Sequence, residues 1–412
     1  MRQPAVADRL GRQYDKPADL ASQPVSERIE ALDVLRGVAV GGILVANVLV
    51  FFGLFAIAPE RAAAFPTVAA DTVARILEHV FVDGKFYSIF SLLFGIGFGV
   101  QLSRGGDAAV PRFKRRLRIL LGIGAIHAFL IWGGDILLLY ALLGFTMPWF
   151  ARKSDGTLLR WTLGLFATPT ILYLVALAAW TISGPHAPAG STVGIPPRLL
   201  EIFTAMGRGG FKDALIGNLV FVPLRWADLF VTVRFPKVLG MFVLGLWTVR
   251  AGIALSPANH RVTLVRWSLL GWGIGLPANI IAAWSAEHWQ YLMPSAGGLL
   301  GVVSQAVGVP MLALGYAATI ALLVVDGRRI VGMFGPVGRM ALTNYVMQSI
   351  TCIVLSRGFG LGLWWRIGAS RAIGIAAVLL AVQIPLSALW LSRYRFGPVE
   401  WVWRRLTYAR PI

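Results

Sequence analysis

A histidine set in an apolar run is the side chain best placed to do chemistry in this sequence. His127 lies in Leu120-Leu121-Gly122-Ile123-Gly124-Ala125-Ile126-His127-Ala128-Phe129, two to three helical turns beyond a basic cluster and so near mid-membrane if the run spans a bilayer. A neutral imidazole takes up a proton near neutral pH, which suits a general base. A histidine that only bonds a neighbouring helix would look the same in sequence. Asp135 follows Trp132-Gly133-Gly134, a glycine pair suited to a tight turn. It can orient His127 or cap the next helix. Spacing alone defines no Ser/His/Asp triad.

Other polar groups fall where a bilayer would penalise them unless they had partners or a task. The first apolar block opens Glu30-Ala31-Leu32-Asp33-Val34-Leu35-Arg36-Gly37 and carries Asn47. Arg36 and Asn47 are three helical turns apart and share a face. Arg36 can pair with Asp33 or receive an anionic group such as a phosphate. Lys85 and Ser88 open the second block, where Lys85 can anchor the helix at the surface or meet a ligand. Arg115 and Arg116 belong to the cluster Arg112, Lys114, Arg115, Arg116 and Arg118. Late in the chain, Arg339 precedes a helix on which Asn344, Gln348 and Thr351 fall on one face, fit for interhelical hydrogen bonds or for lining a polar cavity. In the tail, Glu400 is spaced to pair with Arg404.

The elements that must position these residues follow from bulk chemistry. Of 412 residues, 57% are hydrophobic and 14% charged, against roughly a quarter charged in a soluble domain. The apolar residues gather into blocks of roughly 17–25, the length of a membrane-spanning helix. The expected fold is all-α: a polytopic helical membrane bundle with about ten spans, at 33–57, 85–103, 117–133, 135–151, 161–183, 237–254, 267–284, 298–325, 334–356 and 372–392. The stretch Leu215–Leu224 is too short to span and ends at Pro223, so an interfacial or re-entrant segment is expected inside a periplasmic loop at 184–236. Residues 1–28 are polar, basic and expected to be a disordered tail without the hydrophobic region of a cleaved signal. The rest reads as one transmembrane domain, 29–412, ending in an interfacial helix at 397–408.

Net charge is +19, but its distribution argues against nucleic acid as partner. With both chain ends in the cytoplasm, 24 of the 38 basic residues fall in cytoplasmic segments and 12 outside, the positive-inside bias that orients helices without a ligand. Cys352 is the one cysteine, which excludes an internal disulfide and a cysteine metal site. No nucleotide-binding glycine loop, paired-histidine zinc motif or carboxylate metal cluster is present, so no metal is expected.

These residues carry a resemblance. The opening Arg28-Ile29-Glu30-Ala31-Leu32-Asp33-Val34-Leu35-Arg36-Gly37, the stretch from Gly84 to Gly97, His127 through Asp135 to Tyr140, Gly338 to Ser349, and Phe396 to Tyr408 resemble the YeiB-like family of bacterial inner-membrane proteins, known as domain of unknown function 418. That family looks related to the transmembrane acyltransferases, which move acyl groups from acyl-CoA or acetyl-CoA on the cytoplasmic side to an acceptor in or across the membrane. The resemblance implies that His127 matches their intramembrane catalytic histidine and Arg36 their Arg-Gly motif. One branch carries a histidine soon after Arg-Gly where this chain has Asn47, which cannot act as a base. The expectation is therefore a multi-pass inner-membrane acyltransferase. Arg36 and the basic cluster would hold the CoA phosphates, His127 would activate a hydroxyl or amine, and Asp135 would orient it. The acceptor would be a lipid, glycan or small molecule, membrane lipid would surround the chain, and a homo-oligomer is compatible with it. The rival reading is a transporter or lipid-handling permease whose path the same polar groups line; the paired broken helices common in transporters are not evident.

Overall fold

A computed structural model of the chain describes residues 29–183, 195–288 and 294–408; the basic tail expected at 1–28 lies outside them. The described residues are helical throughout, with no strand. Seven helical stretches are long and apolar enough to cross a membrane, and Ala341–Ser356 is a shorter apolar helix.

The first helix, α1 (Glu30–Phe51), is central and packs against α3 (Lys85–Gly105), α12 (Ala296–Val325), α13 (Ala341–Ser356) and α14 (Ala369–Arg393). Its small residues explain how it fits. A Cβ on Gly37 would come within 2.1 Å of the Phe334 carbonyl oxygen, and one on Gly338 within 1.8 Å of that of Asp33. The short helix Gly335–Arg339 thus lies backbone to backbone against the start of α1. The pair α3 and α9 (Arg234–Arg250) closes in the same way: Gly95 faces the Phe242 carbonyl and Gly245 that of Leu92. Small residues allow such approach where lipid supplies no hydrophobic drive between helices.

The amphipathic α2 (Val68–Phe81) precedes α3, and α4 (Ala109–Ile126) runs on into a π-helical turn, His127–Ile131. The apolar block expected as one span at 135–151 is broken into α5 (Leu137–Gly144) and the single turn Met147–Phe150. After it come α6 (Asp155–Ser183), α7 (Pro197–Arg208) and α8 (Phe211–Val231). The apolar stretch expected to stop at Pro223 continues through it, because an internal proline deletes one backbone bond that an otherwise apolar helix tolerates. A π turn, Gly271–Gly275, joins α10 (Arg261–Leu270) to α11 (Leu276–His288), which packs along α12.

The bundle has a tail end, where α15 (Pro398–Tyr408) docks on α4 and α13, and a loop end at the opposite pole. The contacts of α8 lie at the loop end: its Asn218 reaches residues 128–133, and Arg225 and Asp228 lie beside Arg234. Two long-range carboxylates cap helices. Glu400 accepts from the amides of Leu342 (2.7 Å) and Thr343 (3.0 Å) at the start of α13, and from the Thr343 hydroxyl. Asp71 accepts from the amide of Ser370 (2.8 Å) and its hydroxyl at the start of α14. The expected Glu400–Arg404 pair gives way to this cap, since unsatisfied amides at a helix start attract a carboxylate more than a surface arginine does.

Candidate active site

The tight turn read between His127 and Asp135 has a packing cause. Gly124 lets α4 meet α5 so closely that a Cβ would lie 2.7 Å from the Leu138 amide nitrogen. Gly134 accepts the Trp132 indole, whose ring atoms would be 2.3 Å from a Cβ there. In the π turn the Trp132 amide bonds the His127 carbonyl at 2.7 Å. Such turns widen a helix by one residue and free carbonyls from the regular ladder. Asn218 of α8 takes up the slack: its amide donates to the carbonyls of Ala128 (2.9 Å) and Phe129 (3.0 Å), and its oxygen accepts from the Gly133 amide (2.6 Å).

This hairpin sets His127 Nδ1 2.9 Å from Asp135 Oδ1, both side chains 1% exposed. The contact is close but not aligned as a hydrogen bond. Asp135 Oδ2 meanwhile accepts from the Leu138 amide at 2.7 Å, so the carboxylate orients the ring and caps α5 at once. On the other side of the ring, Nε2 lies 2.9 Å from the hydroxyl of Ser349, which is also buried. The two ring nitrogens thus face different groups, a carboxylate oxygen at Nδ1 and a hydroxyl at Nε2. In the neutral tautomer with its proton on Nδ1, Nε2 is an acceptor for the Ser349 hydroxyl, which also lies 3.2 Å from the Tyr345 carbonyl. Tyr345, one turn earlier on α13, packs its ring 4.9 Å from the imidazole. Ser349, His127 and Asp135 thus lie in a row in a buried core, side-chain types able together to take a proton from a hydroxyl or amine.

Ser349 could not be found by spacing, since it lies 222 residues from His127. Its one sequence signal is its place on the stripe Tyr345, Ser349, Cys352, Ser356, which is buried along α13. Asn344 and Gln348 lie one residue off that stripe and face α14 instead. Asn344 donates to the Val337 carbonyl (3.2 Å) and to Ser387 (3.0 Å), and Gln348 donates to Gln383 (2.8 Å), which returns a bond to the Asn344 carbonyl.

At the tail end the structure gathers basic groups. Arg36 binds Asp33 at 2.7 Å. Arg116 stands near Arg36, Arg404 and Tyr408, with its guanidinium 4.7 Å over the Trp403 ring, while the Trp403 indole donates to the Arg116 carbonyl. Arg115 is exposed, and Arg339 is half-buried with an Nε that finds no acceptor among the described residues. Arg116 on α4 and His127, the first residue of the π turn that continues it, are eleven residues apart and thus on one face, roughly 16 Å along the axis. Asn47, half-buried, sits one turn beyond Ile43, which packs with Leu137 and Tyr345.

Lys85 and Ser88 make none of these contacts. Lys85 is buried and donates to the His79 carbonyl at 2.6 Å, and the Ser88 hydroxyl bonds the Gly84 carbonyl. Lys85 is thus enclosed rather than reaching to a surface. The nearby Lys237 is also buried and donates to Gln305 at 3.2 Å. No group of three metal-binding side chains occurs among the described residues.

Residues 248–410 match the family described as "Protein of unknown function (DUF418)". The chain is 32% identical over 405 residues to the uncharacterized protein YxaH of Bacillus subtilis, covering 93% of this chain and 95% of that one. It is 30% identical over 402 residues to the uncharacterized protein YeiB of Escherichia coli, covering 92% and 96%. No solved structure matches it. On this likeness, which runs almost the full length of both relatives, the chain belongs to the YeiB-like DUF418 family.

Proposed function

We propose that this protein is an acyl-CoA-dependent membrane acyltransferase of the bacterial inner membrane, with about ten spans and both ends cytoplasmic. The observation that carries the reading is the relay Asp135–His127–Ser349, buried at one end of a helix whose other end carries Arg116. The basic group Arg36, Arg116 and Arg404 would hold the phosphates of CoA at the tail end, where charge-assisted contacts are strong. The pantetheine arm would then run along the shared face of α4 and bring the thioester toward His127. The Nε2 atom takes the proton of the acceptor hydroxyl or amine as that group attacks the thioester carbonyl. The C–O or C–N bond forms, the C–S bond breaks, and the imidazolium returns its proton to the departing thiolate. Asp135 stabilises the imidazolium between these steps. The 2.9 Å contact between Ser349 and Nε2 favours a second route, in which Ser349 carries the acyl group as an ester before the acceptor takes it.

Purified protein incubated with radiolabelled acetyl-CoA in membrane lipid should release CoA and label an acceptor. His127→Asn keeps a hydrogen-bonding side chain but no base, and should lower transfer by roughly a hundredfold or more while the protein still inserts and retains acyl-CoA. Normal turnover with a lowered melting temperature would make His127 a packing residue and end this reading.

A further inference from the structure

The loop end holds an arginine that neither the relay nor the helix packing uses. Arg357 follows the last residue of α13 and is 4% exposed. Its guanidinium lies 4.4 Å over the Trp364 ring. Its Nη1 is enclosed without a hydrogen-bond acceptor among the described residues, and the Trp364 indole Nε1 is likewise unmatched. A guanidinium offers five donors and stays charged, so burial without a carboxylate is costly unless an anion completes the site.

The surroundings point the same way. Trp364 is fully buried and locked, since a Cβ on Gly53 would lie 2.4 Å and one on Gly207 2.1 Å from its ring atoms. Arg61 and Arg208 each stand 5.8 Å from the centre of the neighbouring Trp365 ring. Burial first, then the nearby charges of Arg61 and Arg366, hold Arg208 below its usual value. Arg61, Arg208 and Arg366 are exposed and gather beside Trp365, whose ring centre lies 5.7 Å from that of Trp364. None of the four forms an ion pair among the described residues. All four count among the 12 basic residues on the side where the positive-inside bias gives arginine no task. Phe55, 41% exposed, bridges Trp364 (6.3 Å) to Phe221 (5.4 Å) and offers an apolar wall beside the charge.

We propose that Arg357 binds the phosphate of an anionic amphiphile whose apolar part lies against Phe55 and Phe221, with the arginines beside Trp365 drawing the anion to this pole. Arg357 follows the end of α13, eight residues beyond Ser349 and about 12 Å further along the axis. The phosphate site thus lies beyond the end of the helix that carries Ser349, and its occupant is the acyl acceptor. The acceptor role rests on the acyl-transfer reading; the binding does not.

The test uses the full chain in phosphatidylcholine nanodiscs and reads melting temperature against added phosphatidylglycerol and, separately, glycerol 1-phosphate. Ligand that binds the folded state raises the melting temperature with concentration. A rise with the lipid supports the site; a rise with glycerol 1-phosphate alone overturns the amphiphile. Arg357→Lys keeps the charge but loses the planar fork, and should weaken the response at least about tenfold. Trp364→Phe keeps the ring and removes the N–H, and should weaken it severalfold. No rise with either probe, or the same rise in both variants, overturns the proposal. His127→Asn should keep the lipid response whole, so that a failure of transfer and a failure of binding are told apart.

Discussion

Helix α13 carries two polar networks on adjoining faces, and they are built differently. On the α14 side, Asn344, Gln348, Gln383 and Ser387 are neutral groups that donate and accept among themselves. On the α4 side, Ser349 meets an imidazole whose other nitrogen faces a buried carboxylate. Every contact in the first network can form without a change of protonation. The second sets an imidazole between a buried carboxylate and a buried hydroxyl. A neutral network serves adhesion between helices, whereas a titratable one enclosed in a core is costly to keep and marks where chemistry can occur.

The two faces should differ most at Asp135. If the α4-side network is chemical, Asp135→Asn leaves the fold in place but removes the charge that stabilises the imidazolium. Transfer should then fall by roughly a hundredfold or more, measured as CoA release per folded molecule. Unchanged release would reduce Asp135 to its cap on α5. The opposite pattern belongs to the α14 side. Gln348→Leu should leave turnover per folded molecule intact and cost about 0.5–1.5 kcal/mol, the range for a hydrogen bond between membrane helices, read as a lower melting temperature in detergent. A large loss of turnover there would mean that the two faces act as one site. The smallest effect is expected at the exposed Arg261–Asp326 pair, which lies in neither network. The hydrogen bond from Arg261 holds the Asp326 carboxyl below the usual carboxylate range. Its contribution is therefore present above the unfolded value and lost as pH falls through the lower folded one. Asp326→Asn should barely move the melting temperature at neutral pH, and the small difference should vanish in acid and in high salt.

Much of the framework was legible because lipid imposes long apolar blocks: the spans expected at 33–57, 161–183 and 298–325 correspond to the helices Glu30–Phe51, Asp155–Ser183 and Ala296–Val325. His127 and Asp135 could be singled out because a polar group in such a block needs a reason. Ser349 could not, because its neighbour Gln348 looks just as polar and only packing decides which of them turns toward α4. The π turn at 127–131 has no composition signal, since it arises from how Asn218 takes up two carbonyls from another helix. Local spacing misdirected the reading of Glu400: Arg404 is four residues away, but the uncapped amides it satisfies belong to a helix that begins nearly sixty residues earlier.

That cap also sets a timetable. Glu400 stands 57 residues after Thr343, and ribosomes add roughly 5–20 residues per second. The helix that carries Ser349 therefore waits on the order of several seconds after its own synthesis before the carboxylate that completes its first turn emerges. Until then the first amides of α13 lack this acceptor, so the helix start is completed only after all three residues of the relay have been made.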